Sequence, residues 1–255
     1  MLAEKRESMN LDTEIAKGNT ASLYLCNNSV IKLFHETYQG TESLHEADKQ
    51  RFAYSCGLPV PKVEDVVRIN GRQAIIMELV QGRTIGDLLS GNMDKAEEYL
   101  SISVDSQQEI HRIEAPSIEP MREKLSRQIQ DAPLPGHLRE ALIRKMNAIR
   151  FEKKLCHGDF YLFNLIMGDS KVTILDWVDS SAGDPRADVY RTYLLYLQYS
   201  TELAERYVQL YCEKSALSKE EILQWAPIIA GARLSENVSS DNRELLCEIV
   251  CSETK

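Results

Sequence analysis

The chain has 255 residues, enough for one large domain or two lobes, and its 43% hydrophobic and 27% charged content excludes a disordered or fibrous protein. A formal net charge of −9 argues against non-specific binding to nucleic acid or acidic membranes and is compatible with a cationic ligand. No apolar run reaches the length of a membrane span. The start, Met1 to Asn10, is charged and lacks the apolar core of a secretory signal, and the six cysteines contain no C-x-x-C pair. Reduced, mostly buried thiols in the cytoplasm are therefore expected.

In chain order, Ile15 to Leu25 reads as strand, turn, strand. The turn segment Gly18-Asn19-Thr20-Ala21-Ser22 is built of glycine and small residues, which can lie over phosphates and offer backbone N–H groups, so Ser22 is a candidate nucleotide contact. Asn27-Asn28 makes a second turn, and Val30 to Phe34 a third strand containing Lys32. A lysine in an apolar strand must find a partner or lie at a sheet edge. Thr41 to Cys56 has helical spacing of Leu44, Ala47, Phe52 and Ala53, and stops at Gly57 before Leu58-Pro59-Val60-Pro61. Val63 to Val67 and Gln73 to Leu79 are strands joined at Asn70-Gly71. After Gly82, strands give way to helices over Asp94 to Ile113, Met121 to Gln130 and Leu138 to Phe151, with a break at Ala132-Pro133-Leu134-Pro135-Gly136. His111 reads as a structural histidine.

Cys156 to Asp176 carries the chemistry. His157-Gly158-Asp159 opens a polar loop that ends at Asn164, and two short apolar runs around Gly168-Asp169-Ser170-Lys171 predict a hairpin. Asn164 follows Asp159 by five residues, and Asp176 follows Asn164 by twelve. Phosphoryl transfer needs one carboxylate to orient and deprotonate the attacking hydroxyl, and oxygen ligands to hold Mg²⁺ against nucleotide phosphates. Asp159 fits the first role, and Asn164 and Asp176 the second, since Mg²⁺ takes few protein oxygens and keeps its waters. The order D-x-x-x-x-N and then Asp is the spacing of a kinase catalytic loop and metal carboxylate. Downstream, Asp184-Pro185 predicts a helix start. Thr201 to Leu217, Ser218 to Ala232 and Ser235 to Cys251 read as helices. Their carboxylates (Glu202, Glu205, Glu213, Glu236, Asp241, Glu244 and Glu248) read as a solvated face.

His157-Gly158-Asp159 through Asn164, Ile174-Leu175-Asp176-Trp177 and Gly183-Asp184-Pro185-Arg186-Ala187-Asp188 resemble the signature of aminoglycoside phosphotransferase and choline kinase-like enzymes. The resemblance implies an α+β, bilobal, protein-kinase-like fold, with an antiparallel-sheet N-lobe over 1–80 and a mainly helical C-lobe over 81–255. It implies that Lys32 holds the nucleotide phosphates and that Glu46 fixes Lys32, with Glu42, one turn earlier on the same face, as the competitor. It also implies a hinge in which the Glu78 carbonyl and Val80 amide meet the adenine edge while Met77 lines the pocket behind. Asp188 would brace the catalytic loop by accepting its N–H groups. Tyr161 stands where many relatives have histidine, and Trp177 replaces the Phe-Gly of protein kinases.

The expected activity is transfer of the ATP γ-phosphate, with GTP as an alternative, to a hydroxyl of a small molecule. An aminoglycoside leads, and choline, homoserine or a sugar are alternatives. No Ala-Pro-Glu motif points to a protein substrate. A nucleotide-binding pseudokinase is the reading of another class. A metal-dependent hydrolase on His157 and Asp159 would need further ligands, and His35, His45, His111 and His137 form no metal-spaced set.

Overall fold

In the computed structural model, the first elements are β1 (Thr13–Lys17) and β2 (Ala21–Cys26), followed by β3 (Ser29–Phe34), α1 (Glu42–Ser55), β4 (Val63–Ile69) and β5 (Arg72–Glu78). A short β6 (Arg83–Thr84) precedes α2 (Ile85–Gly91), α3 (Ala96–His111), α4 (Met121–Asp131) and α5 (Gly136–Ala148). Then come β7 (Lys154–Cys156), β8 (Leu165–Met167), β9 (Val172–Ile174) and β10 (Ser181–Gly183). The chain closes with α6 (Pro185–Leu197), α7 (Thr201–Lys214), α8 (Lys219–Leu223), α9 (Ala226–Arg233) and α10 (Arg243–Ser252). The structure describes residues 11, 13–169, 171–238 and 241–252. The charged start Met1 to Asn10, and Ser170 of the expected hairpin turn, lie outside the described residues.

The chain divides into two compact units, one of Met1–Asp87 with Phe163–Val178 and one of Leu88–Leu162 with Asp179–Lys255. The division is thus not a single cut near residue 80. The expected 165–174 hairpin forms as β8 against β9, and β8 also pairs with β6, so this later segment belongs to the first unit.

In the first unit, five strands run in the order β1-β2-β3-β5-β4, all neighbours antiparallel. Successive residues of a strand face opposite sides. Ile31 and Leu33 accordingly pack with Val67, Ile69 and Ile76 on one face, while Phe34 packs with Ala47 of α1, Val66 and Ile75 on the other. Lys32 shares the parity of Phe34 and so lies on the α1 side of the sheet. Asn27 and Asn70 take positive φ at the two hairpin turns, as a short amide side chain permits.

The second unit is mainly helical. Its buried residues include Leu100, Ile110, Ile129, Leu142, Phe160, Tyr207 and Trp225, where α3 packs on α7, α6 on α7 and α4 on α9. The only sheet among its described residues is the antiparallel pair β7 and β10. Asp184 caps α6 by accepting the Arg186 N–H at 2.9 Å, with Pro185 in the first turn. The helix expected over Leu138 to Phe151 ends at Ala148, and β7 follows.

The helix expected over Ser218 to Ala232 is two helices. Pro227, which has no N–H to give, sits in the first turn of α9 and forces a fresh start. The last helix begins at Arg243, eight residues later than expected, because Asn237 adopts φ 51° and Asn242 accepts the Leu245 N–H. Ser239 and Ser240 of that expected helix lie outside the described residues.

Trp225 ties α9 to α6, its indole N–H donating to the buried Asp184 Oδ2 at 3.0 Å. Trp225→Phe removes this hydrogen bond while Arg186 still serves the same oxygen, and should cost about 1 kcal/mol. A urea-unfolding midpoint unchanged from wild type would contradict this.

Candidate active site

The first unit gathers Lys32, Glu46 and Asp176. Because Lys32 points to the α1 side, its ammonium meets Glu46 Oε1 at 2.5 Å, and it also reaches Asp176 Oδ1 at 3.1 Å. The Glu46 side chain is only 2% exposed and that of Lys32 12%. Burial opposes the lysine charge, but the adjacent Asp176 and Glu46 carboxylates outweigh it and hold the ammonium above the ordinary lysine range. Glu42 is turned elsewhere, accepting from Gln73.

Asp176 reaches Lys32 by a sharp change of direction after β9. It sits at φ 59°, a left-handed conformation that aspartate tolerates better than most residues. The flanks are fixed. The Ile174 N–H donates to the Pro59 carbonyl at 2.8 Å, and Trp177, directly after Asp176, is fully buried with its indole N–H on the Ile174 carbonyl. Asn164 stands at the end of a short 3₁₀ turn, Leu162–Asn164, and its carbonyl accepts the Leu175 N–H at 2.8 Å. The backbone therefore sets the amide and the carboxylate on neighbouring segments of one unit.

The other nucleotide candidates lie in the same unit. Ser22 is past the Gly18–Thr20 turn, buried in β2 opposite Leu33. Met77 is half-buried near the end of β5, with Gln50 at 3.9 Å from its sulfur. Glu78 ends β5, giving its N–H to the Lys62 carbonyl and accepting the Lys62 N–H on its carboxylate. Val80 follows, half-buried.

Asp159 belongs to the second unit. Its N–H donates to His157 Nδ1 at 3.3 Å, so His157 ties back the loop it opens. Asp188, on α6, holds the same loop. Its Oδ1 accepts the Gly158 N–H at 2.7 Å, and its Oδ2 accepts the His157 N–H at 3.1 Å, His111 Nε2 at 2.9 Å and Gln107 Nε2 at 3.1 Å. Burial favours the neutral acid, yet the donors and the nearby His111 and His157 outweigh it, and the Asp188 carboxyl is pulled down to about 2. His111 is a buried structural residue that also bonds the Tyr211 hydroxyl at 2.7 Å. Gly158 has φ 83°, and a Cβ there would collide with the Asp179 carbonyl, so only glycine fits.

Arg191, Lys124, whose ammonium donates to Asp179 Oδ1 at 2.7 Å, and the direct Lys32–Asp176 contact were not expected from the sequence. Arg191 lies three residues after Asp188 on an apolar helix, and an arginine in such a run is itself the signal of a buried partner. Of the acids read as a solvated face, Glu236 and Asp241 instead pair with the buried guanidiniums of Arg191 and Arg233.

An α+β fold of this order, with a strand lysine clamped by a helix glutamate, is a protein-kinase-like arrangement. Residues 13–223 match the model of a family described as "Phosphotransferase enzyme family", and the chain belongs to that family.

Among solved structures, a thermostable mutant of aminoglycoside phosphotransferase APH(4)-Ia, in ternary complex with AMP-PNP and hygromycin B, is 13% identical with a TM-score of 0.69, covering 94% of this chain and 93% of that one. A putative fructosamine-3-kinase from Haemophilus somnus 129PT is 14% identical with a TM-score of 0.67, covering 94% and 90%. Acyl-CoA dehydrogenase family member 11 of Pongo abelii is 30% identical over 183 residues, 60% of this chain and 23% of that protein. The Homo sapiens protein of that name is 28% identical over the same share. The chain thus spans about a quarter of the length of these relatives.

Because the Asp188 carboxyl is held near 2 in the fold and titrates near 3.8 when free, its stabilisation is complete above about pH 4 and lost as pH falls to about 2. The shift corresponds to about 2 kcal/mol. Asp188→Asn should therefore be less stable than wild type at pH 7, and the gap should narrow between about pH 4 and pH 2. Denaturant melts showing a constant gap over that range would contradict the assignment.

Proposed function

We propose that this protein is an ATP-dependent kinase that phosphorylates a hydroxyl of a small molecule. The observation that carries the reading is the buried Lys32–Glu46 pair joined to Asp176, since a charged lysine held by two acids inside a sheet is a costly device unless it serves an anionic ligand. Lys32 binds the nucleotide phosphates and Glu46 keeps it aimed. Backbone groups of the Gly18–Thr20 turn with Ser22, and of Glu78 and Val80 beside Met77, take the rest of the nucleotide. GTP is the alternative donor.

A divalent cation of the Mg²⁺ type suits the donor set, because the Asp176 carboxylate and Asn164 amide are both hard oxygen ligands. When bound, Mg²⁺ supplies charge neutralisation at the transferred phosphoryl group. Asp159 accepts the acceptor's proton and orients its oxygen. His157 and Asp188 fix the backbone on which Asp159 stands.

An aminoglycoside is the first acceptor to test, since several structural neighbours are aminoglycoside phosphotransferases. The net charge of −9 agrees with a cationic acceptor. Choline, homoserine and sugars are the alternatives. The dehydrogenase name of the curated relatives is not carried over, because the match covers 23% of their length.

The test is a panel of these acceptors with ATP and Mg²⁺, read by nucleotide diphosphate release. Acceptor-dependent release supports the kinase. Nucleotide binding with no release for any acceptor would favour the pseudokinase instead. Asp159→Ala should lower kcat by roughly 10²–10⁴ with ATP affinity retained, and full turnover in that variant would remove Asp159 from the base role. Asp176→Asn should raise the Mg²⁺ needed for half-maximal rate by roughly tenfold or more. A wild-type Mg²⁺ titration would exclude Asp176 as a ligand.

A further inference from the structure

The second unit contains a cavity whose lining includes Lys124, Gln128, Gly158, Asp179, Arg191 and Glu236. Arg191 has no role in the mechanism given above. Its side chain is 9% exposed, and burying a guanidinium is expensive unless its donors are used. Arg191 Nε donates to the Gly158 carbonyl at 3.1 Å, and Nη2 donates to Glu236 Oε2 at 2.8 Å. Glu236 also accepts from Arg233, which is held in turn by Asp241 at 2.6 Å.

The geometry at Gly158 gives this arrangement a purpose. Asp188 and Arg191 are three residues apart on α6, hence on one face. The Gly158 N–H ends on Asp188 and the Gly158 carbonyl ends on Arg191. These two groups belong to the peptide planes on either side of the Gly158 Cα. With both planes held by one rigid helix face, φ and ψ at residue 158 are fixed, and with them the direction in which the chain enters Asp159. A glycine has no side chain to restrict it, so without both bonds it would be the loosest point of the loop. The Arg191 charge is also felt at Asp159. Burial disfavours the guanidinium charge, while Glu236, Asp159 and Asp179 favour it, and the attraction acts equally on the carboxylates.

We propose that Arg191, anchored by Glu236, is a positioning residue for phosphoryl transfer. It locks the peptide between Gly158 and Asp159 so that the Asp159 carboxylate is presented in one orientation. The proposal rests on Asp159 being the group that takes the hydroxyl proton.

The test uses the full chain as wild type, Arg191→Gln, Arg191→Lys, Glu236→Gln and Asp159→Ala. Three kinds of measurement are made: steady-state kinetics giving kcat and KM for ATP and the active acceptor, the thermal midpoint, and amide hydrogen exchange of the peptide spanning residues 156–164. Arg191→Gln should lower kcat about 10²-fold, the effect of displacing a reacting group by about 1 Å. KM for ATP should stay at the wild-type value, and exchange at 157–160 should quicken. Arg191→Lys keeps the charge without the fixed fork and should fall between the two. Glu236→Gln should show the same pattern more weakly.

A purely structural role would instead move the thermal midpoint and exchange throughout the helical unit, with kcat per folded molecule unchanged, and would overturn the proposal. If Arg191→Gln does not fold, wild-type kcat and loop exchange in both Arg191→Lys and Glu236→Gln overturn it equally. Full turnover in Asp159→Ala would defeat the base assignment, and the proposal with it. The exchange measurement needs no acceptor, so a failed loop effect is told apart from a failed substrate choice.

Discussion

A lysine ammonium largely withdrawn from solvent between a sheet and a helix is the constraint around which the first unit is arranged. Strand alternation brings Lys32 to the side of the sheet that α1 covers, where an unpaired cation would be strongly disfavoured. Glu46 meets it at 2.5 Å and Asp176 at 3.1 Å, so two carboxylates surround one ammonium. This leaves the cluster with an excess of negative charge and donor atoms suited to a further cation. The proposed nucleotide site accounts for the arrangement better than stability does, because apolar residues of similar size would fill the same space at less cost.

In the second unit α6 has the corresponding place. Its cap, Asp184, receives the Trp225 indole, so the start of the helix is fixed to α9. One turn on, Asp188 gathers four donors, two of them backbone N–H groups of the loop that presents Asp159. His111, Cys156 and Asp188 bring ligand-type atoms within 4.8 Å of one another. Burial, with the Asp188 and Asp184 charges nearby, holds the Cys156 thiol far above its ordinary range, and both His111 nitrogens are engaged by Asp188 and Tyr211. The cluster reads as a brace for the loop rather than a metal centre.

Much of the fold was legible because its signals are local. Alternating strands around Asn27-Asn28 and Asn70-Gly71, the helix ended by Gly57 and the Asp184-Pro185 start each follow from turn and cap chemistry within a few residues. The misses have local causes too. Apolar spacing runs through Trp225 without showing that Pro227 would begin a new helix, and the period over 235–251 hides the left-handed Asn237. Asp159, Asn164 and Asp176 stood out because polar residues between apolar neighbours at kinase spacing are unusual. Arg191 did not, since its partner Glu236 is 45 residues away and the group it holds is a backbone carbonyl, which has no sequence signature. Glu236 and Asp241 were read as solvent-facing for the same reason.

The discontinuity of the first unit bears on how the chain matures on the ribosome. Lys32 and Glu46 are 14 residues apart and can meet while the polypeptide is short, but Asp176 is 144 residues from its lysine. Until β8 and β9 have been synthesised, the five-stranded sheet carries its buried cation with one of its two acids missing, and β6 lacks its neighbour. Contacts so distant in sequence form late. A nascent chain halted before residue 176 would thus hold all five strands of that sheet while Lys32 still lacked one of its two acids.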